Sequence, residues 1–530
     1  MLVLLKSMRI VFCLLMVVAS GIATDNNTSD NQLESWPNLS ANRAIALRTQ
    51  RDVSGNATVA SAVVMGVNLT SVVFEPFGYN DNSLADIRTL LNVGVEAMTI
   101  DAYYNEYTED WTLCPYDILA SNSSTGKCGD VASFNISSIV TTMNEFLSAT
   151  DTVLSTNVLY ILLNLNSIVY PNASSMTGIH RLGKVFQGIE NLVTPEVFNV
   201  ESQPTLHELL FTKDLRVFTI VVEDNLLSNT TYDISLDLDT LFVSSEIASN
   251  INKTQVEASG QTLVPLPAVY QNFNEGNISS LDDSNSSSFR FLYETEDNEY
   301  IIDSFRNTLL SGYSPIISRS FPNLANISSF LENSFWSWAA GQPPVQSAAS
   351  PSSSGNSTVA NQASVYRCAI LTDHGWTTAA CSSKFRCACL NPSDSDRFVI
   401  TKDASDYMSA EETCYELGDE YVFALPHTAM EQRDMMDMLP EGLTGVWINI
   451  NSISSGNCWV EGLITACPYQ KTISRRIFIR MITPGSVVAF LLLCLIAVFQ
   501  FDRVPVQKNR KHWRKLMHDQ LGDEFEGVPS

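Results

Sequence analysis

The sequence predicts an α/β barrel, a small disulfide-rich α+β domain behind it, and one membrane-spanning helix near the C-terminus. Three observations predict this. Between residues 41 and 341, short β-branched runs alternate with helical patterns, as they do when parallel strands are buried on both faces. Between 366 and 470 the cysteines crowd together. Near the end, "MITPGSVVAFLLLCLIAVFQF", Met481 to Phe501, carries no charge and has the roughly 20 residues that a bilayer crossing needs.

The elements are justified in chain order. Lys6 and Arg9 precede the apolar "IVFCLLMVVA", and Gly21 and Ala23 suit cleavage, so residues 1–23 read as a signal peptide. Residues 24–40 are polar and are expected to be disordered. The strand candidates of the barrel, 41–341, are "SAVVMGV", "SVVFE", "AMTIDAYY", "NVLYILLNL", "RVFTIVVED" and "SPIISRSF". Helical patterns lie between them in "SLADIRTLLNVG", "SIVTTMNEFLSAT" and "EYIIDSFRNTLLSG". A closed barrel is expected before an open sheet, and no G-x-G-x-x-G opens any of the helices. Residues 342–365 are rich in Ser, Pro, Gly and Ala without periodicity and read as a linker. The disulfide-rich domain spans 366–470, the membrane helix 481–501 and the tail 502–530.

Charge excludes one class of partner. The net charge is −26 and the pI about 4.5, whereas holding nucleic acid by its phosphates takes clustered Lys and Arg. A cleaved signal followed by one span gives a type I topology in the secretory pathway. The endoplasmic reticulum membrane is the expected residence, with the N-terminus lumenal and the basic "DRVPVQKNRKHWRK" cytosolic. Sequons agree. Asn26, Asn27, Asn38, Asn56, Asn68, Asn122, Asn135, Asn172, Asn229, Asn252, Asn277, Asn285, Asn326 and Asn356 all sit in N-x-S/T, all before residue 357. Of 11 cysteines, Cys13 leaves with the signal and Cys494 lies in the membrane run. Cys114, Cys128, Cys368, Cys381, Cys387, Cys389, Cys414, Cys458 and Cys467 remain as disulfide candidates, an odd number, so one thiol is free or pairs between chains. Zinc would favour C-x-x-C pairs, which are absent.

Acids at the carboxyl ends of barrel strands are placed for catalysis. Glu75, Asp101, Glu223 and Asp224 end predicted strands. Phosphodiester cleavage wants an acid and a base, commonly two histidines, or acids around a divalent metal. His180 and His207 are the only barrel histidines, one in a loop and one opening a helix. The site therefore reads as degenerate, with no enzyme activity, cofactor or metal. The rival reading is a metal-assisted phosphodiesterase or glycan hydrolase using Glu75, Asp101 and Glu223. Tyr103, Tyr104 and Trp111 read as barrel packing, with a shallow aromatic groove as the alternative.

Resemblance adds to this. "SLADIRTLLNVGVEAMTIDAYYNEYTEDWTLCPYDI" resembles the second-strand region of the phospholipase C-like phosphodiesterase barrels, which are TIM-barrel-like. Across the chain, "ALRTQRD", "DAYYNEYTEDWTLCPYD", "SFWSWAAGQP", "RCAILTDHGW" and "VWININ" resemble the fungal maintenance of telomere capping protein 6 family. That implies a single-span glycoprotein with an indirect link to telomere capping and a lumenal role in binding or assisting a protein or glycan partner. "DYMSAEETCYELGDEYVFALPHTAMEQRDMMDML" is similar to a C-type lectin-like module, with Tyr407, Ala410 and Cys414 on one helix face. This likeness implies that Cys414 pairs with Cys458 or Cys467. Calcium-dependent sugar binding needs E-P-N or Q-P-D and W-N-D oxygens. None is present, and Asn449 and Asn451 are expected to pin turns.

Overall fold

The computed structural model describes residues 39–115, 128, 134–171, 177–198, 204–222, 232–243, 270–272, 291–346, 366–393, 398–463, 465–469, 491–493, 495–496 and 506–523. The signal peptide, most of the linker, Glu223, Asp224 and most of 481–501 lie outside them. Among the described residues no helix is long and apolar enough to cross a membrane. The chain forms two units, 1–467 and 468–530.

The first sheet holds β1 (Gly66–Asn68), β2 (Ala97–Asn105), β3 (Asp110–Thr112), β4 (Leu159–Ile168), β5 (Val217–Val222), β6 (Phe242–Val243), β7 (Tyr270–Asn272), β8 (Phe291–Tyr293) and β9 (Ser314–Ile317). Apart from β3, antiparallel on β2, every pairing is parallel, in the order β6-β5-β4-β2-β1-β9-β8-β7. That is the cyclic strand order of an eight-stranded barrel cut between its fifth and sixth strands. Among the described residues no ladder joins β6 to β7.

Local chemistry explains the crossover helices. α1 (Ala41–Val53) precedes the barrel. α2 (Asp81–Asn92) is capped by Asn80, whose side chain accepts from Asn82 N–H, and Asp81 adds charge at its positive end. Its buried Ser83, Ile87, Leu90 and Leu91 recur at helical spacing, and Gly94, at φ 94°, turns the chain into β2. Asn135 and Ser138 form a capping box on α3 (Ile136–Ala149). α4 (Ile302–Leu310) leads into β9.

One strand expectation is corrected. "SVVFE" is helical, winding through Thr70–Phe74 and then Glu75–Phe77. A short apolar run does not distinguish a strand from a buried helical turn by periodicity. Pro76 suits a first helical turn, and Gly78, at φ 96°, ends it. The first strand is instead the end of "SAVVMGV", so its terminal residue is Asn68, not Glu75.

Inside the barrel, the lower layers are apolar and aromatic. Tyr160 stacks on Phe218 at 5.4 Å between centroids and meets Phe291 edge-on, with Leu162, Ile220 and Ile316 in the same buried cluster. Outside it, Met98, Ile100, Ala102 and Tyr104 pack under α2 and α3. Tyr104 and Trp111 are buried there with Tyr232, as packing residues.

The second sheet, β11-β10-β15-β12-β13 with β14 on β12 and β16 on β15, belongs to residues 366–461. Its strands are β10 (Tyr366–Thr372), β11 (Gly375–Ala380), β12 (Arg386–Leu390), β13 (Phe398–Ile400), β14 (Val422–Phe423), β15 (Val446–Asn451) and β16 (Val460–Glu461). α5 (Ala410–Tyr415) and α6 (Ala429–Asp437) cover it, α6 capped by Thr428. Tyr407, Ala410 and Cys414 are fully buried. Asn451 donates to the Gly462 carbonyl at 2.8 Å, and Asn449 accepts from Gly462 N–H.

The disulfides are Cys114–Cys128, Cys368–Cys381, Cys389–Cys414 and Cys458–Cys467. The expected pairing of Cys414 with Cys458 or Cys467 is thus corrected. α5 lies over β12, where the Cys414 Sγ reaches the Ala388 carbonyl. Cys387 is the unpaired thiol, buried beside Ser405, and burial raises its pKa.

Barrel and second domain share one hydrophobic cluster. Trp376 meets Trp336 at 5.6 Å and Trp338 at 5.5 Å, and Trp338 meets Trp459 at 4.8 Å. Trp376 N–H donates to the Ser337 carbonyl, and its indole N–H to the buried Gln432. Gln50, on α1, accepts from the backbone of Trp336 and Ser337. The linker begins later than expected, since Gln346 is buried and bonded to Asn457.

Candidate functional site at the barrel mouth

In a parallel barrel the side chains of alternate residues point inward, and those at the carboxyl ends line the mouth. Along β2 this sequence reads Ala97, Thr99, Asp101, Tyr103, so the interior turns from apolar to polar as it rises. β4 does the same in register, Leu162 opposite Thr99 and Asn164 opposite Asp101. Asn164 Nδ2 donates to Asp101 Oδ1 at 2.7 Å. Across the barrel, the Thr99 hydroxyl and the Tyr293 hydroxyl on β8 are 2.6 Å apart. Asn68 ends β1, its side chain accepting from Thr70 N–H.

Two carboxylates act on this mouth. Asp101 and Glu75 both raise the pKa values of Tyr79 and Tyr103, after burial, and Asp101 also raises that of Tyr293. The three phenols therefore stay neutral across physiological pH. Tyr79 is 2% exposed, and its hydroxyl has no hydrogen-bond partner among the described residues. Glu75 is exposed on its helical turn, not inward from a strand end.

The structure does not bring the histidines to Asp101. His180 is exposed, bonded to the Glu109 carbonyl at 2.9 Å and beside Asp110 at 3.1 Å. His207 is exposed beside Gly55, its ring tilted against Phe211 at 5.2 Å between centroids. Among the described residues no group of three or more His, Cys, Asp or Glu side chains is placed to hold a metal ion. Among the described residues the mouth offers hydroxyls, amides and two carboxylates, which suit hydrogen-bonded recognition of a polar ligand.

A second feature escaped the sequence reading. A cavity of about 270 Å³ lies at the opposite end of the strands, lined among others by Leu47, Arg48, Arg51, Glu96, Asn157 and Arg216. Its cations are already engaged. Arg51 donates to the Thr156 and Val153 carbonyls, and Arg216 to those of Asn157 and Leu147. Burial pushes the Glu96 carboxyl up to about 8, against the pull of Arg43 and Arg51. The only signal in the sequence was an acid between a glycine turn and an apolar run, "VGVEAM".

Glu96 has a pH consequence. The folded state keeps its proton up to about pH 8, while an unperturbed glutamate releases it near 4.5. Between those values the native state binds more protons, so stability falls as pH rises. Glu96→Gln keeps the neutral form, and its melting temperature should gain on the wild type steadily from pH 5 to 8. Parallel curves for the two proteins would contradict an uncharged Glu96.

Burial also separates the sequon asparagines. Asn56 and Asn326 are exposed. Asn135 caps α3 and Asn68 holds Thr70 at the mouth, and both are partly buried. Peptide mapping after enzymatic deglycosylation should find the first two occupied and the second two bare.

Residues 37–337 match a family described as the MTC6 partial TIM-barrel domain. Among curated proteins, the maintenance of telomere capping protein 6 of Komagataella phaffii is 30% identical, over 93% of this chain and 97% of its own length. The protein of that name from Lachancea thermotolerans is 29% identical, over 93% and 96%. Among solved structures, a calcium-dependent phosphoinositol-specific phospholipase C from a Pseudomonas species aligns with 52% of this chain and 93% of its own. It does so at 11% identity and a TM-score of 0.32, too loose an overlap to carry an argument.

Proposed function

The chain belongs to the maintenance of telomere capping protein 6 family, and on that premise we propose that it is a non-catalytic, single-pass type I membrane glycoprotein. Its lumenal barrel mouth and a C-type lectin-like second domain recognise a protein or glycan partner. One observation carries this reading: the carboxyl-end layer of the barrel holds Asp101 against an amide and neutral phenols, with no imidazole beside it.

Several features support the anchor. Leu491, Leu492, Leu493, Leu495 and Ile496 are helical, and each is at least half exposed. So many contiguous apolar residues open to solvent are suited to lipid. A signal peptide, sequons and disulfides fit an oxidising lumen such as that of the endoplasmic reticulum. The α5 and α6 helices on a sheet stapled by Cys389–Cys414 support the lectin-like reading of residues 366–470. A folded mass on the lumenal side would influence telomere capping only indirectly.

The rival is metal-assisted hydrolysis through Glu75, Asp101 and Glu223. Asp101→Asn tests it, since the amide oxygen still accepts from Asn164 while the charge is lost. Ion coordination and proton transfer need that charge. The Asn variant should complement a deletion strain fully at normal abundance, and the purified ectodomain should not cleave phosphodiesters with any divalent metal. Turnover that disappears in both Asp101→Asn and Glu75→Gln, with each variant well folded, would establish the hydrolase.

A further inference from the structure

Resting on the anchor reading above, we propose that the helix Val506–Asp523, α7, lies on the cytosolic membrane surface and binds anionic lipid headgroups. Residues 510–520 of this helix are exposed throughout. Trp513, Leu516 and Met517 fall at the i, i+3, i+4 spacing of one helical face and are 64%, 44% and 59% exposed. Arg510, Lys511, Arg514, Lys515 and His518 share the rest of these turns with one acid, Asp519. In a chain of net charge −26 this is a local reversal of sign.

An apolar face bearing a tryptophan, opposite a cationic face, is the pattern of a helix lying in the bilayer interface. Arg510, bordering the apolar face, can lay its stem along it and keep its charge in the headgroups. Position strengthens this. Only residues 502–505 separate the apolar run from the helix, a reach of about 14 Å at full extension. A chain whose run 481–501 spans the bilayer must therefore begin α7 at headgroup level. Each basic residue near a phosphatidylserine-containing surface favours binding roughly fivefold. A basic amphipathic helix also fits the groove of a calmodulin-like protein. The bilayer is favoured because the tether already places the helix against it.

The test uses the full chain in nanodiscs of phosphatidylcholine alone, or with phosphatidylserine at about the anionic fraction of a cytosolic leaflet. Hydrogen exchange is read over residues 510–520. We expect exchange at least tenfold slower on the anionic discs. High salt should remove that protection, as should Lys511→Glu with Lys515→Glu, or Trp513→Ser. Equal exchange on both discs by an anchored chain overturns the inference alone. Protection that appears only on adding calcium-loaded calmodulin, whatever the lipid, overturns it in favour of a protein groove. A full chain that carbonate extracts from cell membranes overturns the anchor reading, and this inference with it.

Discussion

Trp376→Ala is expected to uncouple the barrel from the second domain. Trp376 is fully buried, meets Trp336 and Trp338 edge-on, and bonds the buried Gln432 through its indole N–H. Truncating a buried tryptophan typically costs about 3–5 kcal/mol. Here it also leaves the Gln432 carbonyl without its donor in the core. Because barrel and second domain share one cluster, the wild-type pair of domains should melt in a single transition. The variant should melt in two, with new protease cleavage around 337–346. Trp376→Phe serves as the milder control, keeping an aromatic ring but removing the indole donor, for a loss of about 1–3 kcal/mol. A single, unshifted transition in Trp376→Ala would show that the shared cluster does not couple the domains.

Gly66→Ala should be nearly as damaging, for a different reason. A Cβ at Gly66 would lie 2.1 Å from the Ile316 Cδ1 and 2.9 Å from the Ala97 Cβ. These are residues of β9 and β2, which pair with β1 on either side. Overpacking typically costs about 1–3 kcal/mol, occasionally more, and here the overlap sits between two parallel ladders. The Ile316 tip can move, whereas Ala97 is held by its backbone. Ile316→Val should therefore recover part of the lost melting temperature in the Gly66→Ala background. Gly66→Leu should prevent the barrel from folding, with or without that rescue. Normal stability of Gly66→Ala would mean that β1 is not held between β2 and β9 as described.

The local elements were legible in the sequence because their causes are local. α2 announces itself through Asn80, Asp81 and the 3.6-residue recurrence of Ile87, Leu90 and Leu91, and α3 through Asn135. The β-branched runs before Asn164 and in "RVFTIVV" are strands since only burial on both faces suits them. Asp101 was expected to end a strand and instead sits mid-strand in β2, because the ladder with β4 runs on to Asn105. The odd cysteine count left one thiol free or paired between chains, and that thiol is Cys387. Tertiary structure decided the rest. "SVVFE" became helical because Val72, Val73 and Phe74 are buried that way against the core, a choice that neighbouring residues cannot express. Cys414 joined Cys389 because α5 settled on β12 rather than on the later strands. Glu96 acquired its raised pKa from burial by segments distant in sequence, which outweighs the pull of Arg43 and Arg51. Sequence alone determined which segments could be helices or strands, since propensity, capping and hydrophobic period act over a few residues. Which surfaces those segments share, and what charge and pairing follow, depended on contacts between residues up to hundreds of positions apart, and only the folded chain brings those together.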